Sequence, residues 1–382
     1  MSDSAPRPAP PAAAPASAPP ASPAPAASVP TPVEIARALG SRVIGQQAAV
    51  REMAVALAKH LAGVSTGNIL MIGSSGTGKT TLMRAVEGYL AAEPALAARS
   101  TLVRLHANVL AREAERGRPG EVVLGRLLER AREVAGGGAT QDDVLGRVAR
   151  GIVFVDEVDK IRARVGDRPH VAGIRAQEAL LTLIENESVP FALPEWAGGG
   201  TVRIDSSGIL FVAAGAFEGL YDAVYDRVTI GRDRGALKPV TRVEAGGVRE
   251  EHTFALRDWL RNEDLFDYGM TPQFLSRFDA VVLLDDLTAE ELVQIFLRTP
   301  ESGYAQSRAY FAGRGIHLAL SPAAVRRIAE AAARQPRLGA RALRDVFRRV
   351  VRDYEFDPAS APSGADGALL IDAAEVDAAL AR

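Results

Sequence analysis

One segment limits the fold of this chain more than any other. Residues 73–80 read Gly-Ser-Ser-Gly-Thr-Gly-Lys-Thr and match the pattern G-x-x-x-x-G-K-[ST]. A predicted strand at 68–72, apolar from Ile69 onward, precedes the match, and a segment with helical spacing of apolar residues follows it to about Leu90. In such an arrangement of strand, loop and helix, the glycines let backbone N–H groups converge on phosphate at a helix N-terminus. The segment therefore predicts an α/β fold that binds the phosphates of a nucleotide.

The side chains of this loop have separate predicted roles. Lys79 is one of only four lysines among 45 basic residues, so its position at the end of the loop is informative. Its ammonium group is expected to reach the β and γ phosphates, and the Thr80 hydroxyl is expected to bind Mg²⁺. The residues predicted to bind the nucleotide here are Ser75, Gly76, Thr77, Gly78, Lys79, Thr80 and Thr81.

A second motif supplies acidic groups. The apolar run at 152–155 has the pattern of a buried strand and is followed by Asp156 and Glu157. This position and these residue types are typical of a Walker B element, in which Asp156 helps to hold Mg²⁺ and Glu157 orients and deprotonates the attacking water. Two acids after one strand predict hydrolysis as well as binding. The two motifs predict an ATPase that uses ATP and Mg²⁺, with Lys79 and Glu157 as catalytic residues.

Periodicity places these motifs in a longer alternation of strands and helices. The predicted strands are Asn68–Ile72, Thr101–Leu105, Gly151–Val155, Gly208–Ala213 and Ala280–Leu284. The predicted helices are Val33–Leu39, Gln46–Leu61, Gly78–Leu90, Glu121–Val134, Ala176–Glu185, Leu287–Leu297, Ala305–Gly313, Pro322–Arg334 and Ala340–Tyr354, and a late strand, Ala368–Ile371, precedes a final helix. Apolar strands that alternate with helices indicate an α/β parallel sheet flanked by helices, and the later segments indicate a small, mainly helical C-terminal domain.

The chain divides into three predicted regions. Residues 1–32 are almost entirely Pro, Ala and Ser, so we expect a disordered tail that serves as a spacer or as a docking segment. Residues 33–286 are assigned to a large nucleotide-binding domain, and residues 287–382 to a small helical domain.

Composition excludes several classes of site. There are no cysteines, which rules out disulfides, thiolate zinc sites and cysteine nucleophiles. The net charge of −2 gives no whole-chain reason to expect nucleic-acid or membrane binding. Apolar runs are shorter than the roughly 20 residues that cross a bilayer, and no signal peptide is expected. We therefore expect a cytoplasmic protein without a membrane partner.

The motifs and their flanks resemble AAA+ ATPases of the Clp/Hsp100 group and, within that group, the ClpX family of unfoldases. The resemblance runs from about Val43 to the C-terminus. The segment 151–160 is similar to that family's Walker B stretch, and 209–219 is similar to its sensor 1 strand. The resemblance implies an AAA+ large domain and small domain, an adenine contact at Val43 and Ile44, and a homo-oligomeric, hexameric ring that acts on protein substrates.

The same resemblance implies roles for two arginines. Arg277 matches the arginine finger that reaches the γ phosphate of the neighbouring subunit, and Arg341 matches sensor 2 of the small domain. Negative charge on the phosphoryl oxygens must be neutralised during hydrolysis, and an arginine supplied by a neighbour would make hydrolysis depend on assembly. Both arginines are expected to be catalytic, and Arg341 is also expected to bind the nucleotide.

The chain departs from that family at four places. The strand tip at 213–215 has no polar side chain for sensor 1, and the first pore loop reads Gly-Arg-Pro-Gly at 117–120 without an aromatic residue. The peptidase-docking loop, 228–242, contains Ile-Gly-Arg where the family has an Ile-Gly-Phe type tripeptide. No counterpart of the N-terminal zinc module is recognised. The altered tripeptide of the docking loop argues against a ClpP-like peptidase as a partner.

A loop rich in basic residues is compatible with more than one kind of partner. Arg162, Arg164, Arg168, His170 and Arg175 fall in the expected second pore loop, where they either line a positively charged channel or form a solvated surface. The leading interpretation is an AAA+ ATPase ring that remodels, unfolds or disassembles protein partners. The alternatives are a nucleotide-switched scaffold protein with slow turnover and, less favoured, a nucleic-acid motor.

Overall fold

The structure is a computed structural model of the 382-residue chain, and it describes residues 29–97, 100–116, 120–185, 188–230, 238–244, 247–358 and 368–381. Three features predicted above lie partly or wholly outside the described residues. They are the N-terminal tail up to residue 28, the first pore loop at 117–119, and 231–237 of the docking loop.

Within the described ranges, the structure contains the predicted helices and strands together with others that the sequence pattern does not predict. The strands are β1 (Asn68–Ile72), β2 (Thr101–His106), β3 (Gly151–Asp156), β4 (Arg164–Val165), β5 (Arg168–Pro169), β6 (Val189–Ala192), β7 (Thr201–Ile204), β8 (Leu210–Gly215), β9 (Lys238–Glu244), β10 (Gly247–Thr253), β11 (Phe278–Leu283), β12 (Leu318–Leu320) and β13 (Leu369–Ile371). The helices are α1 (Pro32–Gly40), α2 (Gln47–Leu61), α3 (Lys79–Ala92), α4 (Pro94–Ala97), α5 (Ala107–Glu115), α6 (Glu121–Ala135), α7 (Gln141–Val148), α8 (Val171–Glu185), α9 (Leu220–Thr229), α10 (Leu256–Trp259), α11 (Asn262–Tyr268), α12 (Pro272–Leu275), α13 (Ala289–Arg298), α14 (Gly303–Ala312), α15 (Pro322–Ala333), α16 (Ala340–Phe356) and α17 (Ala373–Leu380). Every strand and helix predicted from the sequence is present, and the largest shift is at α8, which begins at Val171 rather than Ala176.

Five strands form one parallel sheet in the order β11-β1-β8-β3-β2. Parallel strands bring their carboxyl ends to the same edge, so β1 and β3 deliver the segments that follow Ile72 and Asp156 to one place. Only β8 separates these two strands, which corresponds to about 10 Å between them. The predicted parallel sheet flanked by helices is therefore confirmed, and its strand order brings the two motifs together.

Alternate residues of β1 face opposite layers of helices. Ile69 and Met71 belong to a core shared with α1, α2 and α3. Leu70 and Ile72 belong to a second core on the other face, which includes residues of α6 and α8. All four side chains are at most 2% exposed. A strand buried on both faces must be apolar throughout, which explains the unbroken apolar run seen in the sequence.

A third core lies in the C-terminal part, with members from Leu287 to Val376. Helices α13 to α17 surround it, and Phe296, Phe311 and Phe347 are buried within it. Strand β12 pairs in parallel with β13. The sequence pattern predicts β13 but not β12. The C-terminal part is mainly helical as predicted, while the division between residues 286 and 287 stays a prediction.

Candidate nucleotide-binding site

The loop between β1 and α3 depends on glycine at two positions. Gly76 and Gly78 have φ values of +76° and +111°, in the left-handed region that residues with side chains rarely adopt. A Cβ on Gly76 would also collide with the carbonyl oxygen of Leu338, at 2.3 Å, and would make a tight contact with the Ala340 amide nitrogen, at 3.1 Å. Gly78 is the N-cap of α3, so the loop lies at a helix N-terminus, where unpaired amides favour an anion.

Lys79 is the first residue of α3, and its side chain turns back into its own loop. It is 9% exposed, and its Nζ donates to the carbonyl oxygens of Gly73 and Ser74, the second at 2.8 Å. Burial lowers the pKa of Lys79 to about 8, while the carboxylates of Asp156 and Asp159 act in the opposite direction. A phosphate in this loop would compensate the buried positive charge.

The remaining loop residues lie around Lys79. Thr77 is buried, and both its amide and its hydroxyl donate to the Ser74 carbonyl, at 3.4 and 2.9 Å, which closes a tight turn. Ser75 precedes Gly76 in the loop, and Thr81 is an exposed residue in the first turn of α3.

Thr80 of α3 contacts Asp156, the last residue of β3. The Thr80 hydroxyl donates to Asp156 Oδ2 at 3.3 Å. A hydroxyl and a carboxylate are hard oxygen ligands, and Mg²⁺ commonly uses one or two protein ligands beside waters and phosphate oxygens. The two side chains therefore fit a Mg²⁺ ion, and Thr80 and Asp156 would hold it.

Glu157 stands in an unusual backbone conformation. Its φ of +59° is uncommon for a residue other than glycine, and such strain concentrates at functional sites. Asp156 Oδ1 accepts a hydrogen bond from the Glu157 amide at 2.9 Å and holds this turn. His106, the last residue of β2, lies with Nδ1 4.0 Å from Glu157 Oε2. Nothing in the sequence indicates His106, because its place beside Glu157 results from the pairing of β2 with β3.

Asp159 is a second residue that the motif search did not single out. It is 1% exposed, and its Oδ1 accepts a hydrogen bond from the Ala216 amide at 3.1 Å. Its Oδ2 lies 3.6 Å from Lys160 Nζ. Ala216 directly follows β8, whose last residues have no polar side chain. Asp159 thus ties the loop after β3 to the tip of β8.

The segment between α1 and α2 lies close to the phosphate loop. Val43 is buried and Ile44 is half-buried. Gln46, which is 3% exposed, donates to the Asp285 carbonyl at 2.9 Å and accepts from its amide at 3.0 Å. A Cβ on Gly78 would lie 3.8 Å from Gln46 Cγ. Gln46, two residues after Ile44, therefore lies beside Gly78 and is bonded to the segment that directly follows β11.

Arg341 lies beside the same loop. The amide of Ala340, the residue before it, donates to the Gly76 carbonyl at 3.1 Å. Besides burial, the positive charge of Arg341 contributes to the lowered pKa of Lys79. The side chain of Arg341 is itself exposed. The structure thus brings Arg341 and the phosphate loop together within one chain.

Arg277 lies at the opposite edge of the sheet. It precedes β11, whose first residue, Phe278, pairs in register with Asn68 at the start of β1. Asn68 Nδ2 donates to the Arg277 carbonyl at 3.0 Å. The five residues of β1 then separate this edge from the phosphate loop by about 16 Å. The guanidinium of Arg277 pairs instead with Glu185, so the structure does not bring Arg277 to the phosphate loop of its own chain.

The basic residues of the expected second pore loop do not act as one group. Arg164, Arg168 and Arg175 are exposed, the first two on the β4–β5 hairpin. Arg162 lies 4.9 Å from the ring centre of Tyr268, and its carbonyl oxygen is 2.9 Å from His170 Nδ1. Two of the five residues are therefore held by the protein, and three face solvent.

Comparison with known proteins identifies the family. Residues 69–232 match the family model described as ATPase family associated with various cellular activities (AAA). The ATP-dependent Clp protease ATP-binding subunit ClpX 3 of Methylococcus capsulatus is 32% identical over 359 residues, which are 86% of this chain and 76% of that protein. The chain belongs to the ClpX family of AAA+ ATPases. Two further relatives, both named ATP-dependent Clp protease ATP-binding subunit ClpX, are 30% identical. They come from Azotobacter vinelandii (87% of this chain, 75% of that protein) and Porphyromonas gingivalis (92% and 82%).

As a member of the ClpX family, the chain binds ATP and hydrolyses it. The matched region extends from β1 to just beyond α9 and includes the phosphate loop and both acids of the Walker B element. The resemblance stated from the motifs is therefore confirmed, as is the prediction of an ATPase. The roles of individual residues in ClpX-type chemistry stay predictions.

Proposed function

We propose that this ClpX-family ATPase acts as a homo-oligomeric, hexameric ring that remodels, unfolds or disassembles protein partners without a ClpP-type peptidase. The observation that supports a ring is the position of Arg277, which lies at the opposite edge of the sheet from its own phosphate loop and is paired there with Glu185. An arginine in this place can complete a nucleotide site only on another copy of the chain. ATP would then lie between subunits, and hydrolysis would depend on assembly.

The proposed division of labour follows the geometry. Lys79 neutralises charge on the phosphates, and Glu157 orients the attacking water and accepts its proton. Mg²⁺, held by Thr80 and Asp156, would screen the phosphate oxygens. Arg341 connects the C-terminal part to the nucleotide, since its neighbour Ala340 is hydrogen-bonded to the loop. Arg277 of the adjacent copy would stabilise the charge that develops on the transferred phosphoryl group.

A protein substrate is proposed from the relatives, which are named as ATP-binding subunits of a Clp protease. The proposal that no ClpP-type peptidase binds rests on the docking loop. There Ile230 is 74% exposed, but Gly231 and Arg232 follow it, and the aromatic residue of the usual tripeptide is missing. The first pore loop at 117–120 also lacks an aromatic side chain to grip a polypeptide.

The missing aromatic residue supports a second candidate function. In that alternative, ATP binding drives assembly of a scaffold, turnover is slow, and no polypeptide is threaded. A nucleic-acid motor is the third and less favoured candidate, and it predicts stimulation of the ATPase by DNA or RNA and salt-sensitive binding. The exposed arginines of the β4–β5 hairpin are the surface that such a motor would use.

The cellular location stays a prediction. No helix in the described part of the chain is long and apolar enough to cross a bilayer. A cytoplasmic site of action is proposed from the sequence and from the family.

Light scattering after size-exclusion chromatography, with and without ATP, tests the ring. We expect Glu157→Gln, which should bind ATP without hydrolysing it, to accumulate as a hexamer in ATP. A fluorescent model protein with an unstructured tail tests remodelling, and a ClpP-type peptidase in the same assay tests partnership. Unfolding of the model protein without degradation supports the proposal. Assembly with slow turnover and no unfolding would favour the scaffold, and a monomer in every condition would refute the ring.

A further inference from the structure

An ion pair at the far edge of the sheet holds the side chain of Arg277. Its Nη2 is paired with Glu185 Oε1, at the C-terminal end of α8. We propose that Glu185 is a positioning residue, which holds the Arg277 guanidinium in the orientation needed to reach the nucleotide of an adjacent copy. This inference rests on the proposed role of Arg277 in a neighbouring site.

The backbone of Arg277 is fixed before its side chain is considered. Asn68 Nδ2 donates to the Arg277 carbonyl at 3.0 Å, and Asn68 Oδ1 accepts from the Phe211 amide at 3.1 Å. One amide side chain therefore ties the residue before β11 to both β1 and β8. The Arg277 amide donates to the Phe274 carbonyl at 3.3 Å. Because the backbone cannot shift freely, the direction of the guanidinium is set by the side-chain torsions alone.

The position of α8 relative to Arg277 is fixed by a buried glutamine. Gln177 is 1% exposed, and its Nε2 donates to the carbonyls of Ile161 at 2.8 Å and Gly269 at 3.1 Å. Its Oε1 accepts from the amide and the hydroxyl of Thr271, at 2.9 and 3.0 Å. Thr271 is the N-cap of α12, the helix that leads into Arg277. With all four of these hydrogen bonds made, α8 cannot slide along α12, and Glu185 stays opposite Arg277.

The ion pair orients the Arg277 side chain and still leaves N–H donors of the guanidinium available. A guanidinium has five donors in a planar fork, and the ion pair with Glu185 engages one of its nitrogens. The Arg277 side chain is 48% exposed and that of Glu185 is 32% exposed, so the pair is accessible to an adjacent copy. A free arginine on a surface samples many rotamers and loses that freedom when it binds phosphate. Because Glu185 already restricts the arginine side chain, less rotamer freedom is lost when phosphate binds, and no other side chain in the described ranges is paired with this guanidinium.

Mixed rings separate the donor of the arginine from the site that receives it. A Glu157→Gln subunit keeps Arg277 but cannot hydrolyse ATP, whereas an Arg277→Ala subunit keeps its own site but offers no arginine. Mixing the two should restore ATPase activity above that of either variant alone. If the mixture assembles but restores nothing, the proposed role of Arg277 between subunits has failed, and the role of Glu185 fails with it.

Glu185→Ala is then introduced into one partner at a time. In the Glu157→Gln donor, we expect a decrease of about three- to tenfold in restored kcat, with KM for ATP unchanged. In the Arg277→Ala partner we expect no effect, since no arginine is there to be held. Glu185→Asp in the donor should retain part of the activity. Glu178→Ala in the donor, an exposed residue of the same helix, should retain all of it.

Three results would overturn the inference. An equal loss from either partner would mean that Glu185 has a structural role only. An increase in activity from Glu185→Ala in the donor would mean that the pair withholds Arg277 instead of orienting it. Unchanged activity in the donor would mean that Arg277 needs no positioning. Light scattering of each mixture confirms that the rings being compared are equally assembled.

Discussion

The amide of Ala340 donates to the carbonyl of Gly76 at 3.1 Å, which joins the first turn of α16 directly to the phosphate loop. The exposed Arg337, just before that turn, also forms an ion pair with Asp222 on α9. The C-terminal helices therefore contact the phosphate loop through the backbone of Ala340, and the charge of Arg341 contributes to the lowered pKa of Lys79. Because the hydrogen bond between Ala340 and Gly76 is direct, a movement of the loop on binding phosphate would also displace the start of α16.

The Gly76 contact can be tested by adding a single methyl group. Gly76→Ala places a Cβ against the backbone of Leu338 in a conformation of positive φ, so we expect ATP affinity to fall at least about tenfold. Gly63→Ala is the matched control, because Gly63 has φ +72° but no atom within 4 Å of an added Cβ. It should destabilise the fold by about 1 kcal/mol and leave ATP affinity unchanged. Wild-type affinity in Gly76→Ala would show that the contact is unimportant.

Lys79 should make ATP affinity depend on pH. Burial lowers its pKa to about 8 in the free protein, and phosphate charge would raise that pKa in the complex. Below about pH 8 both forms are protonated at Lys79, so affinity should not depend on this group. Above it the free protein must take up a proton on binding, and affinity should weaken by up to about tenfold per pH unit. The pH dependence of ATP affinity in Lys79→Arg provides the control. Arginine stays charged over this pH range, and protonation of ATP itself affects the variant and the wild type equally. If the difference in ATP affinity between the two proteins did not grow above pH 8, Lys79 would not be the group that binds the phosphates.

Asp156 and Thr80 should control the requirement for Mg²⁺. Asp156→Asn removes a charged ligand, so the Mg²⁺ concentration that half-saturates the ATPase should rise about tenfold or more. Thr80→Ser keeps the hydroxyl and should behave like the wild type, whereas Thr80→Ala should resemble Asp156→Asn. The measurement is the ATPase rate against Mg²⁺ at fixed ATP. An Asp156→Asn protein with an unchanged Mg²⁺ profile would place the ion elsewhere.

Gln177 should contribute strongly to stability. Gln177→Leu keeps the size of the side chain but removes the partner of the buried Ile161 carbonyl and of the Thr271 amide, while the Gly269 carbonyl keeps its bond from the Ala163 amide. We expect the free energy of unfolding to fall by about 2–4 kcal/mol, measured in urea. Glu178→Gln, on the exposed face of α8, should change it by less than about 0.5 kcal/mol. A similar small effect from both substitutions would show that the Gln177 hydrogen bonds are replaced by water.

The parts of the site that follow from local sequence were predictable. The phosphate loop needs glycines, a lysine and a threonine at fixed offsets, and Asp156 with Glu157 directly follows an apolar strand. The buried strands were predictable for the same reason, because burial on both faces demands uninterrupted apolar residues. Each of these features is encoded within about ten consecutive residues.

Contacts between distant segments could not be predicted in this way. His106 stands beside Glu157 only because β2 pairs with β3, and Gln46 bonds Asp285 across 239 residues of chain. The pairing of Glu185 with Arg277 likewise requires the strand order and the packing of α8. These relations arise from tertiary structure, so no spacing in the sequence indicates them.

The central claim is that each nucleotide site is completed by Arg277 of another copy. Its most direct test is the ATPase rate per subunit, measured over a range of subunit concentrations in which light scattering follows assembly. We predict that the rate per subunit rises with assembly and then levels off, and that Arg277→Ala assembles and binds ATP but hydrolyses it at least about a hundredfold more slowly. A rate per subunit that is the same before and after assembly, or normal hydrolysis by Arg277→Ala, would contradict the account.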